Sequence, residues 1–161
     1  MSSNRRDFLR KAAAISAGLG ASSLPLTAQR TANMPTPRAS ALMALFGLKY
    51  PIFSAGMGAT AIPDLAVAVS NAGGLGAIGT GVNAVADVVR QRVVQTKSAT
   101  NRPFAVNFLL ARDPVTLPLA LDAGAPIIQF AWGIPTVEAV AAIRKADAKM
   151  GIQIKIGRAH V

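Results

Sequence analysis

Short apolar runs recur along this chain about every 25 residues, and this repeat limits the folds that the chain can adopt. The runs start at residues 51, 76, 104, 126 and 152, with the sequences PIFS, GAIGT, FAVNFLL, PIIQF and IQIK. Each run is short and almost continuously apolar, which is typical of a strand that is buried on both faces. The starts lie 25, 28, 22 and 26 residues apart, so there is room for a helix between neighbours. The repeat therefore predicts parallel strand–helix–strand units.

The segments between the runs carry helix signals. PDLAVAVSNAGG begins at Pro63 and ends at two glycines, which suits a helix start and a C-terminal cap. AGGLG itself, at residues 72–76, precedes a strand, so a tight helix-to-strand turn is favoured over a phosphate-binding loop, which follows one. NAVADVVRQRVVQT is expected to form a helix with one apolar face, made of Val85, Val88, Val89 and Val93.

The helix signals in the two later connections differ in strength. DPVTLPLALDAG supports at most a short helix that proline interrupts. TVEAVAAIRKADAKMG is expected to begin with Thr136 as the N-cap, with Glu138 in the first turn and basic residues as far as Lys149 near the carboxyl end. These charges match the helix dipole, so this segment is predicted to be a well-formed helix.

Regular units without a long crossover favour a (β/α)8 TIM barrel over an open, doubly wound parallel sheet. A complete barrel needs eight units and about 250 residues, whereas this chain has 161 residues. The sequence therefore predicts an α/β protein that contains about the first four βα units of a TIM barrel and a fifth strand, over residues 45–155. An open sheet of five parallel strands is the alternative.

The amino-terminal segment has the three-part layout of an export signal. RRDFL at residues 5–9 is followed by an uncharged stretch, residues 12–26, and by small residues up to Ala28. A helix needs about 20 apolar residues to span a bilayer, and this stretch has 15. We expect residues 1–28 to be a twin-arginine signal peptide, recognised by the twin-arginine export machinery, and residues 29–44 to be a linker. The protein would then be periplasmic or extracellular; an amphipathic helix or a basic tail is the alternative.

The composition narrows the functional classes. The formal net charge is +10, but four of the 17 basic residues lie in the first eleven positions and the others are scattered. Aromatic residues make up 5% of the chain and none interleaves with a basic run, so we expect no nucleic-acid partner. Cysteine is absent and there is one histidine, so neither a thiol nucleophile nor a metal site is expected.

The chain ends in GIQIKIGRAHV, and this ending contains its one histidine, His160. Ile156–Val161 can be encoded by ATC GGA AGA GCA CAC GTC, which is the body of a common sequencing adapter. We therefore expect residues 156–161 to be translated adapter, the natural protein to continue after about Lys155, and His160 to have no catalytic role. If the terminus is genuine, a histidine so close to it is expected to be solvated rather than catalytic.

Four segments resemble the nitronate monooxygenases, also called 2-nitropropane dioxygenases, which are FMN-dependent TIM barrels. In order, they read LFGLKYPIFSAGMG, LAVAVSNAGGLGAIGTG, RPFAVNFLL and IIQFAWGIP. The resemblance implies FMN as the cofactor and an alkyl nitronate and O2 as the substrates. It also implies that the catalytic histidine and the phosphate-binding loops belong to the second half of the barrel. The catalytic residue of this chain is therefore unknown, and we expect the 161-residue chain alone to be inactive.

The resemblance also assigns residues to the cofactor. In the family the first strand ends in Ala-Pro-Met against the flavin, and here the sequence is Ala55, Gly56 and Met57. Glycine in place of proline predicts a more mobile loop. The family's Val-Asn-Leu asparagine, which binds FMN, corresponds to Asn107, and an amide within an apolar strand needs hydrogen-bond partners. Core filling by Met57 and a structural role for Asn107 are the alternatives.

Residues that follow the other strands are expected on the catalytic face of the barrel. Candidates for the substrate pocket are Gly79, Thr80, Gln129, Trp132 and Gly133. Trp132 can equally pack beneath a loop.

Three other functions stay open. An FMN-dependent enoyl-acyl-carrier-protein reductase has a very similar VSNAGGLG half, although its cytoplasmic substrates conflict with an export signal. Inosine-monophosphate-dehydrogenase-like barrels are more remote. The chain can also be a non-catalytic half-barrel with exposed sheet edges, which would aggregate or dimerise through them.

Overall fold

The computed structural model describes residues 35–81 and 85–154. The predicted signal peptide and the expected adapter residues, including His160, lie outside the described residues. Within the described ranges, the strands are β1 (Gly76–Gly79), β2 (Phe104–Leu109), β3 (Ile127–Ala131) and β4 (Lys149–Gln153). The helices are α1 (Pro37–Phe46), α2 (Pro63–Ala72), α3 (Ala86–Ala99), α4 (Leu117–Asp122) and α5 (Val137–Lys145). None of these helices is long and apolar enough to cross a membrane.

The four strands form one parallel sheet in the order β1-β2-β3-β4. Each strand pairs with the next strand in the chain, and a helix lies in each connection between them. The register places one residue of each strand in a single row across the sheet, namely Gly79, Asn107, Gln129 and Gly151. The predicted parallel α/β fold is therefore confirmed.

The two faces of the sheet are covered differently. Because side chains alternate along a strand, one face carries Ile78, Phe104, Val106, Phe108, Ile128 and Phe130, which pack against α2–α5 in the main core. The other face carries Ala77, Ala105 and Ile127, which form a smaller core with Phe46 of α1 and Leu75. The helices that connect the strands all lie on one face, which is the arrangement of a barrel, whereas a doubly wound sheet has connecting helices on both faces; α1 precedes the first strand.

The turn between α2 and β1 is the one that the sequence predicts for AGGLG. Gly73 has a φ of 100° and caps α2, with its N–H donating to Ser70 O. This left-handed conformation favours glycine. A Cβ atom on Gly76 would lie 1.9 Å from Ala66 O, so β1 can approach α2 closely only because this residue is glycine.

The predicted strand at Pro51 is reduced to a single parallel bridge between Phe53 and Leu75. Leu75 N donates to Ile52 O at 2.8 Å, and Ser54 N donates to Leu75 O at 2.9 Å. The pairing ends there because the next amide of β1, Ala77 N, donates to the Ser54 hydroxyl at 2.7 Å instead of to a backbone oxygen. The prediction of a full strand is thus wrong, although the segment runs beside β1.

The last predicted strand begins earlier than expected. The sequence placed its start at Ile152 and Lys149 in the preceding helix, but α5 ends at Lys145 and β4 begins at Lys149. Asp147 has a φ of 53°, which is incompatible with a continuing helix and which aspartate tolerates better than most residues. Lys149 N then donates to Pro126 O and starts the new strand.

Two helices differ from the sequence prediction in detail. Helix α1 occupies residues assigned to the linker 29–44, because the Thr36 hydroxyl accepts a hydrogen bond from Ala39 N and Pro37 occupies the first turn. In α3 the buried side chains are Val89, Val93 and Thr96, at i, i+4 and i+7. Val88 lies off this stripe and is exposed, and Val85 precedes the helix.

Thr136 caps α5 as predicted, with its hydroxyl accepting a hydrogen bond from Ala139 N at 3.2 Å. Thr136→Ala removes this acceptor, so we expect the free energy of unfolding to fall by about 1 kcal/mol. Chemical denaturation of the two proteins measures the difference. Thr136→Ser keeps the hydroxyl and should stay within a few tenths of a kcal/mol of the parent; an equal loss in both variants would contradict the cap.

Candidate functional site

A cleft of about 540 Å³ opens on the face of the sheet that lacks the four helices. It lies at the carboxyl ends of the strands, where parallel α/β proteins place their active sites. One side is the segment 53–58, and the other is formed by strand ends and by the turn that follows β3. The side chains that reach it from these strand ends and this turn are Asn107, Leu109, Gln129, Ala131, Trp132 and Gln153.

The segment 53–58 is fixed against β1 by close backbone contacts. Gly79 N donates to Ala61 O at 3.0 Å, just beyond this segment. A Cβ atom on Gly79 would lie 1.8 Å from Gly58 O and 2.7 Å from Gly56 O. The missing side chain of Gly79 therefore allows this loop to lie directly on the end of β1.

Asn107 lines the cleft and is only 4% exposed. Its backbone oxygen accepts hydrogen bonds from Thr80 N at 3.2 Å and from the Thr80 hydroxyl at 3.0 Å. Among the described residues, no hydrogen bond satisfies its side-chain amide, whose polar atoms keep access to the cleft. Because a buried amide without partners is costly, this group is suited to a ligand that both accepts and donates hydrogen bonds.

Gly56 lies directly against the Asn107 side chain. A Cβ atom on Gly56 would be 2.2 Å from Asn107 Cγ and 2.3 Å from Oδ1. The sequence suggested that glycine here loosens the loop. The structure gives it a different consequence, since only a residue without a side chain leaves the Asn107 amide in its present position.

Three carboxamides share the cleft. Gln129 lies opposite Asn107 in the register of β2 and β3, and Gln153 lies opposite Ala131 at the end of β4. No charged side chain is among the cleft-lining residues of the described chain. The described part also contains no cluster of three histidine, cysteine, aspartate or glutamate residues that could hold a metal. The polar groups that the cleft offers are therefore uncharged, and they can bind a ligand by hydrogen bonds within a largely apolar wall.

Trp132 has an unusual backbone. Its φ of 66° is left-handed, a conformation that costs a bulky residue about 1–3 kcal/mol. The flanking residues hold it there: Leu110 N donates to Ala131 O at 2.8 Å, and a Cβ atom on Gly133 would lie 2.7 Å from Leu110 Cβ. The indole is 62% exposed and forms part of the cleft wall, so it does not pack beneath a loop.

The residues singled out from the sequence are brought together to different degrees. Six line the cleft: Ala55, Gly56, Met57, Asn107, Gln129 and Trp132. Gly79 and Thr80 do not line the cleft but contact residues that do. Gly79 packs against the backbone of the segment 53–58, and Thr80 donates hydrogen bonds to Asn107 O. Gly133 lines a neighbouring cavity instead. Their roles toward a cofactor or substrate stay predictions.

Sequence reasoning missed Gln153, Ser54 and Phe53. Gln153 follows the same rule as Gln129, a carboxamide near the carboxyl end of a parallel strand, and an earlier start for β4 would have identified it. The role of Ser54 depends on a hydrogen bond to a distant residue, which leaves no local signal.

The strand order, the connecting helices on one face and a cleft with three carboxamides at the carboxyl ends of the strands together define a small-molecule site of the βα-barrel type. The nitronate monooxygenase family profile matches residues 39–156. The chain belongs to the nitronate monooxygenase family.

Several proteins are similar over part of their length. A probable nitronate monooxygenase of Staphylococcus saprophyticus is 27% identical, over 66% of this chain and 40% of the relative. The nitronate monooxygenase of Paraburkholderia phytofirmans is 27% identical, over 68% of this chain and 41% of the relative. The chain therefore spans about two fifths of the curated relatives it matches.

Solved structures agree with the fold. FabK from Thermotoga maritima matches with a TM-score of 0.64 and 29% identity, covering 70% of this chain and 36% of that chain. The nitroalkane oxidase of Streptomyces ansochromogenes matches with a TM-score of 0.60 and 28% identity, covering 70% of this chain and 42% of that chain. The described residues form part of a TIM barrel, as predicted.

Proposed function

We propose that this chain contributes the amino-terminal half of an FMN-dependent nitronate monooxygenase, which oxidises alkyl nitronates with O2. The observation that carries the proposal is the Asn107 amide, buried at the end of β2 and turned toward the cleft without a partner among the described residues. Family membership supports the reaction class. Because the chain spans about two fifths of its relatives, the activity is proposed for the whole protein.

The residues of the cleft fit a flavin. A flavin ring has an edge of alternating hydrogen-bond donors and acceptors, and a carboxamide such as Asn107 offers one donor group and one acceptor. Backbone atoms of Ala55 and Gly56 and the side chain of Met57 can contact the face of a planar ring. FMN, when bound, supplies the redox chemistry, whereas the protein binds and orients the reactants.

The same cleft suits a substrate that is already deprotonated. The lining residues include no ionisable side chain within the described chain, so none of them can remove a proton from carbon. The N–H groups of Gln129 and Gln153 can instead donate hydrogen bonds to the oxygens of a nitronate. This chain's residues therefore bind and orient the anion, and we propose that any catalytic base lies outside the cleft lining described here.

An enoyl-acyl-carrier-protein reductase is the second candidate function. The similarity to FabK from Thermotoga maritima fits this alternative. The uncharged lining of the cleft does not distinguish nitronate oxidation from enoyl reduction, because its carboxamides can bind a thioester oxygen as well as a nitronate.

We further propose that residues 1–28 direct twin-arginine export to the periplasm or the cell exterior, and that the 161-residue chain has no turnover by itself. The basic start and the uncharged stretch that follows it support export. The short span relative to the curated relatives supports the second statement.

The test uses the native gene product that contains this chain, loaded with FMN. We expect O2 uptake and nitrite release when the nitronate of 2-nitropropane is added, and no turnover by the 161-residue chain. The control is the oxidation of a reduced nicotinamide cofactor in the presence of an enoyl thioester. Nicotinamide oxidation that depends on the enoyl thioester, without nitronate-dependent O2 uptake, would favour the reductase and refute the monooxygenase.

A further inference from the structure

Arg92 extends from α3 to the carboxyl end of β1, where the cleft opens. Its Nη1 atom donates a hydrogen bond to Gly79 O at 2.8 Å, and the side chain is half-buried. The direction of α3 explains this reach, because a helix that connects two parallel strands runs back beside the sheet and begins near the end of the preceding strand. Arg92 does not line the cleft, so its influence on the cleft passes through residues such as Gly79.

The backbone of α3 is firmly packed at this point. Val89, Val93 and Thr96 are its buried side chains, and Arg92 lies beside this stripe. The Thr96 hydroxyl donates a hydrogen bond to Arg92 O at 2.9 Å. The stem of an arginine can cover apolar surface while its guanidinium reaches a polar acceptor, and a hydrogen bond from a charged donor is about twice as strong as a neutral one. Arg92 therefore adds a strong directional bond to a helix that otherwise packs mainly by apolar contacts.

The oxygen that Arg92 contacts belongs to a peptide group with hydrogen bonds on both sides. Gly79 O and Thr80 N are atoms of one planar trans peptide, so they point in opposite directions. Arg92 donates to the oxygen, and Thr80 N donates to Asn107 O at 3.2 Å. The guanidinium, this peptide and Asn107 O thus form a continuous chain of hydrogen bonds, in which each bond polarises the next. Fixing the plane of the peptide at one end fixes the direction of the bond at the other.

The end of β1 supports both walls of the cleft. On one side, Gly79 N donates to Ala61 O at 3.0 Å, and the loop 53–58 lies against Gly79 with no room for a Cβ atom. On the other side, the backbone N–H and the hydroxyl of Thr80 hold the backbone of Asn107, whose amide lines the cleft. A shift of Gly79 and Thr80 would therefore move the loop and the Asn107 amide relative to each other.

We propose that Arg92 is a positioning residue for the cleft. It fixes the peptide between Gly79 and Thr80, and through this peptide it holds the loop 53–58 and Asn107 in the arrangement that binds the cofactor. The statement about the two walls stands on the hydrogen bonds alone. The statement that the bound cofactor is FMN rests on the proposed function.

The first experiment measures amide hydrogen exchange in the native gene product without FMN. Arg92→Met keeps an unbranched side chain but removes the donor, so the amides of residues 76–81 should exchange about tenfold faster or more, as for the loss of one hydrogen bond from a charged group. Exchange in β3 should not change. Arg90→Met is the matched control, because Arg90 is an exposed arginine of the same helix, and it should leave residues 76–81 as they are in the parent.

The second experiment measures FMN affinity at a temperature where every variant is fully folded, so that a merely structural role would not change it. We expect Arg92→Met to raise the Kd for FMN about threefold to thirtyfold, the range for residues that act on a site without touching the ligand. Arg90→Met should keep the parent value. Arg92→Lys keeps a charged donor on a shorter side chain and should lie between Arg92→Met and the parent; if Arg92→Met does not fold, this variant provides both measurements.

The two experiments separate this inference from the proposed function. Faster exchange of residues 76–81 in Arg92→Met, together with no FMN binding by the parent protein, would refute only the proposed function. An unchanged Kd for FMN, unchanged exchange at residues 76–81, or equal acceleration in β3 would each overturn the role of Arg92. The same loss in Arg90→Met would also overturn it, because the effect would then come from the charge of α3 in general.

Discussion

Gly79→Ala is expected to lower the free energy of unfolding of the chain by about 3 kcal/mol or more, above the ordinary cost of one added methyl group. The new Cβ atom would lie 1.8 Å from Gly58 O and 2.7 Å from Gly56 O. Both neighbours are backbone atoms, so a rotamer change cannot relieve the contact, and the loop must lift from the end of β1. Chemical denaturation followed by circular dichroism measures the loss.

Gly151→Ala is the matched control, because Gly151 occupies the other end of the same row across the sheet. A Cβ atom there meets nothing within 4 Å. Alanine also loses less conformational freedom on folding, so stability should stay equal or rise by about 0.4–1 kcal/mol. Equal destabilisation by the two substitutions would show that the contact between the loop and β1 does not explain why glycine is required at position 79.

Asn107→Leu is expected to have opposite effects on folding and on cofactor binding. The side chain is buried and its amide has no partner among the described residues, so replacing it with an apolar group of similar size should leave the thermal midpoint unchanged or raise it. On the proposed assignment of Asn107 to FMN, the same change in the native gene product removes the hydrogen bonds that the amide would make to the flavin. We expect FMN affinity to fall about tenfold to a hundredfold, as for one or two lost bonds in a buried site.

Thermal unfolding of the chain and FMN titration of the native gene product, followed by quenching of flavin fluorescence, measure the two effects. Asn101→Leu makes the same chemical change at an exposed position away from the cleft and should alter neither quantity. A clear loss of stability at Asn107 with normal FMN affinity would give the amide a structural role and contradict its assignment to the cofactor.

The sequence was sufficient to predict what depends on local pattern. The strand order follows from the spacing of apolar runs, and the ends of α2 and the start of α5 follow from glycine, proline and threonine at the expected positions. The cleft residue Gln129 was found because parallel strands bring their carboxyl ends to one edge, whereas Asn107 was assigned from the resemblance to the family's asparagine.

Contacts between distant parts of the chain could not be predicted. The strand predicted at Pro51 does not form because the Ser54 hydroxyl accepts a hydrogen bond from Ala77 N, and no neighbouring residue signals that bond. Glycine is needed at position 56 because a Cβ atom there would lie 2.2 Å from Cγ of Asn107, 51 residues later in the sequence. The positive φ angles of Asp147 and Trp132 depend in the same way on the contacts that hold each turn.

The left-handed backbone of Trp132 is unfavourable for folding, whereas its side chain forms part of the cleft. Glycine or asparagine would relieve its backbone at this position, so random mutation without selection on the cleft would tend to replace the tryptophan. An aromatic residue is retained at such a position only while its exposed ring serves a purpose. Natural variants of this protein that keep tryptophan at position 132 are therefore expected to have a functional cleft, whereas variants with glycine or asparagine there are expected to have lost it.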